Sequence, residues 1–136
     1  MLLAGAAFAV SWFLPVAEVS GDLFRGTVWG WKAFLFAVSP ALGNDLAAGW
    51  LFPTWMVASA LSNLLVPAAV VFELRPSARA QVRLAWALGA AVGLDAVWAF
   101  LPDTRPELRI GYYLWLSAFV LAALATCWRI RMARRS

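Results

Sequence analysis

Apolar positions in this chain rarely alternate with polar ones; they run together in four long stretches divided by short polar breaks. The stretches cover about 2–17, 47–74, 84–101 and 110–128, close to the roughly 17–25 residues a helix needs to cross a bilayer. A helix satisfies its backbone hydrogen bonds within one segment, so lipid tolerates such runs as helices. The first run has no basic residue ahead of it and no small-x-small cleavage site behind it, so it reads as a retained span. The second is longer and contains Pro53 and Pro67, which predicts an interfacial turn at its start and a tilt or kink on the way across. The connections Arg75-Pro76-Ser77-Ala78-Arg79 and Pro102-Asp103-Thr104-Arg105-Pro106-Glu107 are short and force neighbouring helices antiparallel. The expected fold is therefore an all-α integral membrane protein, an up-down bundle of four transmembrane helices forming one domain over residues 1–136.

The region between the first two spans is different. Ser20-Gly21-Asp22 and Gly43-Asn44-Asp45 have turn compositions. Between them Trp31, Phe34, Leu35, Val38 and Leu42 recur at helical spacing. That stripe predicts a short helix over about 29–42, too short to cross comfortably, lying on the interface or dipping into it as a re-entrant segment.

Charge sets an expected orientation. Seven of the eleven basic residues, Arg75, Arg79, Arg83, Arg129, Arg131, Arg134 and Arg135, fall on one side of a four-span arrangement. Arg25, Lys32, Arg105 and Arg109 fall on the other, diluted by Glu18, Asp22, Asp45, Asp103 and Glu107. By the positive-inside rule both termini are cytoplasmic. The net charge of +4 thus reflects span ends, and nucleic acid is not an expected partner. With 64% hydrophobic and only 13% charged residues, the chain lacks the polar surface of a water-soluble domain. An alanine-, arginine- and tryptophan-rich composition with one lysine points to a bacterial inner membrane. Cys127 is the single cysteine, so no intrachain disulfide or dithiol is available.

The candidate chemistry is sparse. Without histidine the commonest general base and the usual haem and copper ligands are missing. Nucleophile-elbow, zincin and P-loop patterns are absent as well, so neither an enzyme nor a cofactor is expected. Asp95, some six residues (about 9 Å) from the end of the third span, is the sharpest polar feature. An intramembrane carboxylate marks either a proton or cation site or a helix-to-helix contact, with Arg109, Tyr112 or Tyr113 of the next span as expected partners. Asn63 and Ser59, with Ser62 beside them, form a second polar face that could bond a neighbouring helix or line a solute path. Gly89 and Gly93 form a G-x-x-x-G suited to close helix packing, within the chain or between copies.

Aromatic residues crowd the outer half. Trp29, Trp31, Phe34, Trp50, Trp98, Tyr112, Tyr113 and Trp115 exceed what a symmetric interfacial belt requires and suggest a surface for a partner subunit or a lipid. The leading expectation is a non-enzymatic accessory or structural subunit that contacts membrane lipids and other membrane proteins or copies of itself. The alternatives are a small oligomeric transporter or channel coupled through Asp95, and a quinone- or lipid-binding protein.

Overall fold

The computed structural model describes residues 1–20, 25–39, 51–72, 77–101, 107–133 and 135. The chain is mostly helical, in the order α1 (Leu2–Ser11), β1 (Pro15–Ser20), β2 (Arg25–Trp29), α2 (Gly30–Val38), α3 (Leu51–Ser62), α4 (Leu65–Phe72), α5 (Ala78–Phe100) and α6 (Ile110–Ala133). Three helical runs are long and apolar enough to cross a membrane: Leu51–Phe72, α5 and α6, of 22, 23 and 24 residues. At about 1.5 Å per residue each exceeds the roughly 30 Å hydrocarbon layer. Helix α1 is apolar but has ten residues, about half that thickness.

Local chemistry explains the boundaries. Ser77 caps α5, its Oγ accepting from the Ala80 N–H at 3.2 Å. Leu101 ends α5 in extended backbone, as expected of a residue that precedes a proline. Between α3 and α4 the chain tightens, with Asn63 N–H donating to Ala60 O at 3.1 Å and Leu64 N–H to Leu61 O at 3.0 Å. Pro67 then falls in the first turn of α4, where no intrahelical N–H bond is required. The expected irregularity in the second run is thus a break at 63–64.

The core lies where α1, α4, α5 and α6 meet, around Ala4, Val66, Ala69, Leu84, Leu88, Ala91, Phe119 and Ala122. Alternating small and large side chains let α1 come in close: Phe8 packs edge-on to Phe119, with ring centroids 6.2 Å apart. The outer faces keep large apolar groups exposed, Leu2, Trp86, Phe100 and Trp128 among them. That pattern suits lipid contact.

Two expectations need correction. The run over 2–17 is not one helix, because α1 stops at Ser11, whose Oγ turns back onto Phe8 O at 2.6 Å. Pro15, which has no N–H to donate, opens strand β1 instead. β1 pairs antiparallel with β2, matching Glu18 with Thr27 and Val19 with Gly26, with an irregularity between Pro15 and Ala17. The all-α expectation therefore gives way to a helical protein carrying a two-stranded hairpin. The β-branched residues Val16, Val19, Thr27 and Val28 favour this pleated form. The helix expected over 29–42 is present as α2, Gly30–Val38. The turn residues Gly21, Asp22, Gly43, Asn44 and Asp45 lie outside the described residues.

Candidate functional site

A polar knot ties the long helices together. Asp95 on α5 is fully buried and faces α3. Ser59 Oγ donates to its Oδ1 at 2.6 Å, and Ser62 Oγ lies 2.9 Å from its Oδ2. The two serines are three positions apart and share one face of α3, so both carboxyl oxygens are met by one helix. Tyr112 on α6 donates its hydroxyl to the Asp95 backbone oxygen at 2.7 Å. Asn63 donates to Ala60 O at 3.0 Å and accepts from Trp115 Nε1–H at 2.6 Å. Trp55 Nε1–H adds a 3.3 Å bond to Leu94 O.

Several expected partnerships differ. Sequence spacing pointed Asp95 towards Arg109, Tyr112 or Tyr113, yet its carboxyl group meets serines of α3. Arg109 instead pairs with Glu18 of β1, both side chains about half exposed at 47% and 49%. Tyr113 is exposed and touches the buried Tyr112 ring edge-on. The expectation that Gly89 and Gly93 pack within the chain is not met, since a Cβ added at either would find nothing within 4 Å. Both face outward, while Asp95 of the same helix faces in.

The hairpin is locked over one end of this knot. Arg109 N–H donates to Val16 O at 2.9 Å, and Leu108 bridges antiparallel to Ala17. Gly30 N–H bonds Leu14 O at 3.1 Å, and Trp31 N–H bonds Trp12 O at 3.2 Å. Close approach makes glycine necessary at two positions here. A Cβ on Gly30 would come within 2.5 Å of Ser11 O, and one on Gly111 within 2.6 Å of Pro15 O.

Beneath the hairpin lies a cavity of about 300 Å³, walled by the end of α1, both strands, α2, α3 and the facing ends of α5 and α6. Its lining is dominated by apolar and aromatic side chains, including Trp12, Val16, Phe34, Met56, Trp98 and Trp115. Ser11, Ser59, Asn63 and Tyr112 also line it, but each is already engaged in a hydrogen bond to the protein. Among the described residues Glu107 is the one charged side chain in the wall, and it pairs with none of the others. Asp95 lies behind the wall and does not line the cavity.

The predicted aromatic surface therefore divides. Phe34, Trp98, Tyr112 and Trp115 turn into the cavity. Trp29, Trp31 and Tyr113 stay on the outer surface, and Trp50 lies outside the described residues. Trp98 is braced by a parallel stack on Trp55, with centroids 4.4 Å apart and planes 11° apart. Glu107, Val16, Met56 and the two contact glycines were missed from sequence. The one signal available was a short alternation, Ala17-Glu18-Val19-Ser20, ahead of a Gly-Asp turn. Among the described residues no three His, Cys, Asp or Glu side chains converge as metal ligands. Compared with known proteins, the chain matches no family model, no curated sequence and no solved structure.

Proposed function

We propose that this chain is a small, non-enzymatic accessory protein of a bacterial inner membrane that holds an apolar molecule, lipid-like in character, in the cavity under its hairpin. The observation carrying this reading is a cavity of about 300 Å³ whose hydroxyl and amide groups are already hydrogen-bonded to the protein. Apolar cavities of roughly half that size stay dry and admit benzene, and small-molecule sites begin near ~300 Å³. A wall with spent polar groups favours hydrocarbon over a hydrated solute.

The transporter reading gains less support. Asp95 is sealed behind the wall with both oxygens engaged, the arrangement of a helix-to-helix tie. The proposed topology has four passes in up-down order, with both termini cytoplasmic. α1 and the extended chain after it together make the first pass, and the hairpin sits at the outer interface. Non-helical backbone is tolerated there, near water and covered by protein.

The test is chemical analysis of protein purified in mild detergent. An apolar molecule should co-purify near one per chain, and Ala33→Phe, which fills the cavity from α2, should lose it while keeping the fold. Equal recovery from both proteins, or none from either, would refute the proposal.

A further inference from the structure

The cavity wall carries one unspent charge and several ring faces, and this combination selects among apolar ligands. Among the described residues Glu107 is the sole charged residue in the wall, no lysine or arginine joins it, and Arg109, two positions on, is occupied by Glu18. Trp12, Phe34, Trp98 and Trp115 share the same space. Aromatic faces carry negative quadrupole charge and attract cations, most strongly where water is excluded. An anion would be repelled by Glu107. A neutral hydrocarbon would leave that carboxylate against an apolar body without compensation. An inorganic cation needs several oxygen ligands, and among the described residues the wall supplies a single carboxylate.

Resting on the reading of the cavity as an apolar-ligand site, we propose that its ligand is a lipophilic organic cation: a quaternary or protonated amine on a hydrocarbon body. The amine sits at Glu107 and the hydrocarbon lies among the rings. Such a cation sheds its water easily, which suits a wall offering charge and ring faces but few free hydrogen-bonding groups. The same chemistry occurs in free amphiphilic amines and in the choline head of a phospholipid.

The experiment uses the full chain in an uncharged maltoside detergent, with binding read from tryptophan fluorescence. The probes are benzyltrimethylammonium and neopentylbenzene, its neutral isostere with carbon in place of nitrogen. The natural protein should bind the cation saturably, and Glu107→Gln should weaken that binding about tenfold or more. Neopentylbenzene should bind the natural protein more weakly than the cation does and lose nothing on Glu107→Gln, and Ala33→Phe should abolish both signals. Cation binding unchanged by Glu107→Gln would overturn the cation assignment while leaving the apolar site standing. Failure of both probes to bind the natural protein would overturn the site itself. Phosphatidylcholine that displaces the cation, where phosphatidylglycerol does not, would identify the source as a lipid head group; no displacement by either would identify a free amine.

Discussion

Asp95 shows how one residue can organise three helices. A buried carboxyl group is costly unless both oxygens are met, and here Ser59 and Ser62 meet them while Tyr112 holds the backbone beside it. Asp95→Asn keeps hydrogen-bonding capacity and should leave yield and thermal stability largely intact. Asp95→Leu strands the Ser59 hydroxyl, while Ser62 keeps its 2.6 Å bond to Ser59 O, and should cost about 1–2 kcal/mol, the scale of an interhelical polar contact. Thermal denaturation of both variants in detergent checks this; equal losses would mean that the serines do not depend on a polar partner. That Asp95, Ser59 and Asn63 need hydrogen-bond partners was legible in the sequence, because a polar residue inside an apolar run must find one. Which partner was not legible. Ser59 and Asp95 are 36 positions apart, and only the packing of α3 on α5 decides that they meet.

At the level of elements, the long helices were readable from unbroken apolar length alone. The hairpin was not, because β1 continues an apolar run and its period is masked by Val16 and Ala17 side by side. Pro15 was the overlooked punctuation. The glycines invert a simple reading in the same way. The pair with the G-x-x-x-G spacing, Gly89 and Gly93, faces open space within the chain, whereas the isolated Gly30 and Gly111 are squeezed between backbones. Gly30→Ala should therefore cost about 1–3 kcal/mol by overpacking, while Gly89→Ala and Gly93→Ala should leave stability unchanged or slightly higher. Unfolding midpoints for the three variants measure this. A loss at Gly93 equal to that at Gly30 would point to an association that buries the outer face of α5.

Across the whole molecule, charge and aromatic content divide the chain between two ends. The hairpin end holds Trp12, Trp29, Trp31, Trp98 and Trp115, and the opposite end holds the exposed Trp86 and Trp128 with the arginine-bearing tail. If the arginine end is cytoplasmic, reporter fusions after residues 78 and 136 should read cytoplasmic, and a fusion near residue 104 should read external. A cytoplasmic signal at 104 would reverse the proposed orientation and place the cavity on the inner face.

The bond between Arg109 N–H and Val16 O also orders events in time. β1 is made near the start of synthesis, but the segment that covers its second edge arrives some ninety residues later, immediately ahead of α6. Until then β1 has β2 on one side and an open row of backbone groups on the other, a vulnerable state for a strand. The cavity can close only when the last helix begins, so a nascent chain halted after residue 101 should expose its hairpin to protease and the finished chain should not. Equal protection of both would mean that the hairpin seats without Leu108 and Arg109.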